Sequence, residues 1–318
     1  MKKIVLVATL LFIMICASAT GGSGANIVKA ADIQPAAAAA GSEEDQQLVI
    51  DITSGLLKIN ERVLQNLARF LPASETPTIM SVRKYFGQLL GKLATEPDTV
   101  LSATQDDQLE SLLKKYGPPD PFSSLPFLSE DELKPGDILL RCSTALASQM
   151  TEVMIWSRYT HSALYIGNGM IIDSTWEDGV KVRSLADFLK ESSRVGVLRL
   201  PGLTSDQADQ VIEAAKSKVS SAYNFEGVKV LGVQKLDALT KLSRQSLGEM
   251  IGILGRAEQL PADATDNGKF ACSELIVSAF KAIDISLSQA SGFTPGDMVR
   301  LSQAGFLSEV GRLQVPAK

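Results

Sequence analysis

The chain has 318 residues, 45% of them hydrophobic, with a formal net charge of −5, one histidine and three cysteines. This length and composition allow one sizeable hydrophobic core, with or without a smaller helical unit. The lysines and arginines are dispersed, which argues against nucleic acid and anionic lipid headgroups as partners. One histidine and no Cys-x-x-Cys pair cannot supply the ligands of a structural zinc site, and no motif implies a metal or another cofactor.

The first 45 residues have the composition of a targeting segment followed by a linker. Two lysines precede an apolar run, and the small residues at 17–19 are typical of a signal-peptide cleavage site. Residues 1–19 are therefore predicted to be a secretory signal, and the mature chain to be periplasmic or extracellular, without a stable membrane span. Residues 20–45, rich in Gly, Ser and Ala, are predicted to form a disordered tether.

A helical N-terminal domain is predicted over residues 46–117. Apolar residues recur at steps of three and four over 49–70 and 79–93, and each run stops before a proline. A shorter helix is predicted at 106–116. We expect the two long helices to form an antiparallel hairpin that buries its stripes against itself and the next domain, a partner-binding coiled coil being the alternative.

A second domain, with mixed strands and helices, is predicted over residues 130–312. Its predicted elements, in chain order, are a strand at 138–141, a helix at 145–157, a hairpin at 160–173, a strand at 180–182, a helix at 185–190, a strand at 195–200, a helix after the capping-box sequence that starts at Thr204, a mostly helical insertion at 226–267, and an apolar helix that begins near Cys272. This pattern predicts the α+β class, with an antiparallel sheet and the Cys272 helix packed on it.

The hairpin contains His161, the chain's only histidine, and breaks at Asn168-Gly169. Its register decides whether His161 and Asp173 meet. With a two-residue loop, the residue numbers of each cross-strand pair sum to 337, and Ser174 is the neighbour of His161. With a three-residue loop at 167–169, the residue numbers of each pair sum to 336, and Asp173 lies diagonal to His161 on the same face of the sheet. Glycines at both ends of that loop favour the second register.

Cys272 lies where a polar loop enters an apolar helix. The partial positive charge at a helix N-terminus favours the thiolate, which is the nucleophilic form. Cys272 and His161 are therefore the candidate nucleophile and general base. Two other interpretations stay open, namely a buried structural cysteine and a disulfide with Cys142 in an exported chain; we expect the thiols to be free.

Three short sequence motifs follow one another along the chain. They are Gly136-Asp137-Ile138-Leu139, then Thr160-His161 with Tyr165-Ile166-Gly167-Asn168-Gly169, then Cys272-Ser273-Glu274-Leu275. In this order and spacing they resemble papain-like hydrolases of the NlpC type, specifically the circularly permuted YaeF/YiiX-like amidases, which are related to the lecithin:retinol acyltransferases. The resemblance implies a permuted papain-like fold, with Cys272 as nucleophile, His161 as base and Asp173 as the residue that orients the imidazole. By position alone, Tyr223 is expected to contact the substrate.

The resemblance implies an exported cysteine peptidase or amidase that acts on peptides, with peptidoglycan among the expected substrates and no cofactor. Two alternatives remain at this point. One is a lipid acyl hydrolase or acyltransferase of the lecithin:retinol acyltransferase type, and the other is a non-catalytic binding module on the same fold. The sequence gives no oligomeric state.

Overall fold

The computed structural model describes residues 103–240, 252–253, 255–262 and 267–317. The predicted signal segment, tether and two long N-terminal helices lie outside these residues, as does part of the predicted insertion. The chain divides into two compact units. The described residues of the first, called the helical unit, are 103–116, 145–154, 232–240 and 252–253; those of the second, called the sheet unit, are 117–144, 155–231, 255–262 and 267–317.

The helical unit contains α1 (Asp107–Tyr116) and α2 (Leu146–Met154). Asp106 caps α1, since its carboxylate accepts a hydrogen bond from the Leu109 N–H at 2.9 Å. The Gln149 side chain on α2 accepts from the Asp106 N–H at 2.7 Å and donates to the Asp106 carbonyl at 3.2 Å. The short helix predicted at 106–116 is therefore confirmed, and α2 is shorter than the predicted 145–157.

The sheet unit is built on a seven-stranded sheet, counted over the described residues, in the order β1-β7-β6-β2-β3-β4-β5. The strands are β1 (Phe127–Leu128), β2 (Ile138–Ser143), β3 (His161–Gly167), β4 (Met170–Thr175), β5 (Gly179–Ser184), β6 (Ser192–Arg199) and β7 (Ser308–Leu313). Neighbouring strands are antiparallel except β1 and β7, which pair in parallel at one edge. The predicted antiparallel sheet is thus correct apart from that short edge pair.

The longer helices of the sheet unit follow the order of the predicted pattern, except for a helix at Pro295–Gln303 that the pattern does not predict. They are α3 (Leu185–Lys190), α4 (Ser205–Lys216), α5 (Phe225–Thr240, of which residues 225–231 belong to this unit), α6 (Cys272–Phe280) and α7 (Pro295–Gln303). The predicted capping box is present at the start of α4, where Thr204 and Gln207 bond each other's main-chain N–H groups. Among the described residues, no helix combines the length and apolar character needed to cross a membrane.

The two faces of the sheet pack into two hydrophobic clusters because side chains alternate along a strand. Leu164 and Ile172 on one face join Leu275 of α6 in the larger cluster. Ala163 and Phe188 belong to the cluster of the other face. The predicted fold class, α+β with the Cys272 helix packed on the sheet, is confirmed.

Candidate active site

The β3–β4 hairpin brings His161 and Asp173 into reach. Asn168 and Gly169 form a tight two-residue turn in which both have positive φ, 53° and 67°. A bulge between Tyr165 and Gly167 then changes the pairing, so that Ala163 stands opposite Asp173. The predicted register is therefore correct, but the predicted three-residue loop is wrong, because the shift comes from the bulge and not from the loop length.

Asp173 is fully buried and holds the imidazole of His161. The distance from His161 Nε2 to Asp173 Oδ2 is 2.8 Å, and the His161 side chain is 15% exposed. Burial raises the pKa of the Asp173 carboxyl, but hydrogen bonding to His161 and the charges of His161 and Arg183 outweigh it and lower the pKa to about 2. Asp173 is therefore ionised at neutral pH and fixes the orientation of the ring.

Cys272 is the first residue of α6 and is 5% exposed. Its main-chain N–H has no partner within the helix because the first turn of any α-helix leaves its N–H groups unpaired. Burial raises the pKa of the Cys272 thiol, but the charge of His161 and the polar groups of His161 and Ser162 near the sulfur outweigh burial and lower it. Since Nε2 of His161 faces Asp173, the nitrogen left for the thiol is Nδ1.

The same contacts act on His161 in the opposite direction. Burial lowers the pKa of His161, but the charge of Cys272 and the hydrogen bond with Asp173 raise it by more, so that the net shift is upward. A thiol pKa that falls and an imidazole pKa that rises favour a thiolate and imidazolium pair. Cys142, the other described cysteine, and Cys272 are both buried, and no disulfide joins them in the structure.

A polar network positions the loop before Cys272. Glu274 accepts hydrogen bonds from the Ala271 N–H at 2.6 Å and from the Asn224 side chain at 3.1 Å, and burial raises the pKa of its carboxyl despite both bonds. The Asn224 amide oxygen in turn accepts from the Gly227 N–H at 3.0 Å. Ser174 donates to the Phe270 carbonyl at 2.6 Å, so it supports this loop and not the imidazole.

Tyr223, the predicted substrate contact, lies near Cys272. Burial and the charges of Cys272, Glu274 and Glu177 raise the pKa of its phenol. Its ring packs edge-on against Phe225, with centroids 5.0 Å apart. A neutral phenol beside a thiol can donate a hydrogen bond, but its role stays a prediction.

Arg183 is the site residue that sequence reasoning missed. Its Nη2 donates to Asp173 Oδ2 at 2.7 Å, and its Nε donates to Oδ1 at 3.2 Å. The available signal is its place on β5, diagonal to Asp173, which becomes visible only once the register is known. Within the described residues, no group of three or more His, Cys, Asp or Glu side chains could hold a metal ion.

Part of the chain matches a known protein family. Residues 132–229 match the family model of the permuted papain-like amidase enzymes, YaeF/YiiX, C92 family. The match includes His161 and Asp173 and ends before Cys272. The resemblance to permuted papain-like amidases inferred from the sequence is confirmed.

Two individual proteins of Escherichia coli are similar to this chain. The probable lipoprotein peptidase YaeF of strain K12 is 25% identical over 215 residues, which are 65% of this chain and 78% of that protein. The crystal structure of metalloprotein yiiX from O157:H7 is 16% identical and covers 57% of this chain and 89% of that one, with a TM-score of 0.32.

Proposed function

We propose that this protein is a cysteine hydrolase that cleaves amide bonds through Cys272, His161 and Asp173. The observation that carries the proposal is the 2.8 Å contact between His161 and the buried Asp173, on a side chain whose charge lowers the pKa of the Cys272 thiol. Acyl transfer by a cysteine uses a nucleophile next to a base, with a carboxylate that orients the base on its other side.

The reaction proceeds in two steps. The Cys272 thiolate attacks the amide carbon and forms a C–S bond, and the imidazolium of His161 gives its proton to the nitrogen as the C–N bond breaks. Neutral His161 then takes a proton from water, whose oxygen attacks the thioester and returns free Cys272 with a carboxylic acid product. The N–H of Cys272 at the helix start donates to the oxyanion in both steps.

The substrate class is a peptide, and the site of action is the cell envelope. The name of the relative in Escherichia coli K12, a probable lipoprotein peptidase, supports both points. The predicted signal at residues 1–19 supports export, and peptidoglycan peptides are then accessible substrates. Tyr223, near Cys272, is proposed to contact the substrate beside the scissile bond.

The test is a set of three incubations with the mature protein. Lipopeptides, peptidoglycan fragments and short-chain phospholipids are each incubated with the native protein, Cys272→Ala and Cys142→Ser, and products are followed by mass spectrometry. Amide cleavage that Cys272→Ala abolishes and Cys142→Ser retains supports the proposal. Cys272-dependent release of fatty acid only would make the protein a lipid acyl hydrolase, and no Cys272-dependent product would leave a binding module.

A further inference from the structure

Asp173 is shared between two cationic partners. Its Oδ2 lies 2.8 Å from His161 Nε2 and also accepts from Arg183 Nη2 at 2.7 Å and from Arg183 Nε at 3.1 Å. Arg183 Nε lies 3.2 Å from Oδ1 as well. The carboxylate therefore has a guanidinium on one side and the imidazole on the other, and both side chains are largely buried, 10% and 15% exposed.

The sheet and one ring hold this arrangement in place. Arg183 on β5 reaches Asp173 because the β4–β5 register pairs Ile171 with Arg183, which leaves Asp173 as its diagonal neighbour on the same face. Phe188 of α3 packs against both side chains. The Arg183 guanidinium carbon lies 5.2 Å from the centroid of the Phe188 ring, and the centroids of the His161 and Phe188 rings are 6.1 Å apart. The fully buried ring limits the rotamers of both side chains.

A second ion pair extends the network away from Cys272. Glu191, at the end of α3, accepts from Arg183 Nη1 at 2.7 Å and from Arg141 Nη1 at 3.0 Å. Arg141 stands opposite His161 in the β2–β3 pair, and its guanidinium lies 4.7 Å from the Phe188 centroid. Two guanidiniums and two carboxylates thus alternate behind the imidazole, and their formal charges sum to zero.

We infer that Arg183 is a positioning residue that cancels the charge of Asp173, so that the imidazole of His161 is oriented by an electrically neutral pair. This inference rests on the proposed function of His161 as base and acid. A lone buried carboxylate would raise the pKa of the imidazolium and so make it a weaker acid toward the leaving amine. With Arg183 in place, Asp173 keeps its hydrogen bond while its net charge is balanced, and the proton of His161 stays transferable.

Every packed element contributes a charged or titratable group to the surroundings of His161. These groups are Cys272 from α6, Asp173 from β4, Arg183 from β5, Arg141 from β2 and Glu191 from the end of α3, with Tyr223 and Glu274 close to Cys272. The charges of Arg183 and Arg141 oppose the imidazolium, and those of Cys272, Asp173 and Glu191 favour it. Removal of single members should therefore shift the titration of His161 in opposite directions.

The only histidine of the chain makes this titration directly observable. Protein labelled with ¹³C-histidine and purified without a histidine tag gives one imidazole resonance, which is followed by NMR against pH. The measurement is made in the Cys272→Ala background, so that His161 titrates as a single step uncoupled from the thiol. The variants added are Arg183→Gln, Arg183→Lys and Glu191→Gln.

Arg183→Gln is expected to raise the pKa of His161 by about one unit or more, because the carboxylate charge is then uncompensated. Glu191→Gln is expected to lower it by a smaller amount, because Arg183 and Arg141 lose their shared counter-ion and Glu191 is 54% exposed. Arg183→Lys keeps the charge and is expected to titrate close to the reference. In protein that retains Cys272, the alkaline limb of kcat/KM should move in the same directions.

Shifts of the His161 pKa in opposite directions in Arg183→Gln and Glu191→Gln support the inference. Loosened packing alone would not change the direction of the shift from one variant to the other. Shifts in one direction, or an unchanged titration in Arg183→Gln with a folded circular dichroism spectrum, would overturn it. Because Glu191 is half-exposed, its variant remains informative even if Arg183→Gln fails to fold. The NMR titration needs no substrate, so an absence of Cys272-dependent cleavage would refute the proposed function without deciding this result.

Discussion

Ionised Asp173 should make the stability of the sheet unit depend on pH in the acid range. Its pKa is about 2 in the folded chain against an ordinary 3.8. The difference between 3.8 and about 2 corresponds to roughly 2 kcal/mol, which solvent does not screen because the side chain is fully buried. A lowered folded pKa means that this stability is complete above the unfolded pKa and is lost as the pH falls through the folded one. About 1 kcal/mol should be lost between pH 5 and pH 3, and about 2 by pH 2.

The assay is urea unfolding from pH 5 to pH 2, followed by tryptophan fluorescence. Both tryptophans of the chain, Trp156 and Trp176, lie in the sheet unit, so the signal reports the unit that contains Asp173. Asp173→Asn should be less stable at pH 5 and should lack this part of the acid dependence. Asp178→Asn, an exposed aspartate of the same sheet unit, is the matched control and should keep it. An acid dependence in Asp173→Asn as steep as in the native protein would refute the reasoning.

Two further predictions concern activity and local geometry. His161→Ala should lower kcat/KM by about a thousand-fold, and Asp173→Ala by about a hundred-fold. In the proposed mechanism His161 transfers the proton, whereas Asp173 only orients the imidazole. Equal losses would count against these roles. Gly179→Ala should destabilise by about 2 kcal/mol or more in urea, because its Cβ would collide with the Ser221 carbonyl, whereas Gly202→Ala, with a similar positive φ and open space, should cost only about 1 kcal/mol; equal effects would exclude the collision as the cause.

The sequence predicted the local elements well because their signals are local. The turn residues Asn168-Gly169, the capping box at Thr204 and the apolar helix from Cys272 each depend on neighbours within a few positions. The register is the predicted one but has a different cause, because the bulge between Tyr165 and Gly167 supplies the shift that was expected from a longer loop. A bulge depends on the cross-strand partner, which periodicity along one strand does not reveal.

The structural features that the sequence does not predict depend on contacts between residues that lie far apart in the sequence. β1 is two residues long and exists through its pairing with β7, 185 positions away at Phe127 and Arg312. The charge network behind His161 likewise needs four separate elements, so Arg183 looked like any charged residue on an alternating strand. Its role follows only from the register of the β4–β5 pair.

The central claim is that Cys272 carries the acyl group, and burst kinetics with an activated ester test it most directly. Native protein mixed with p-nitrophenyl acetate should release one nitrophenolate per chain before the steady state, and acid quenching should leave one acetyl group, mapped by mass spectrometry to Cys272. The burst should persist in Cys142→Ser and be lost in Cys272→Ala and His161→Ala. A burst that survives Cys272→Ala, or an acetyl group on another residue, would contradict the account.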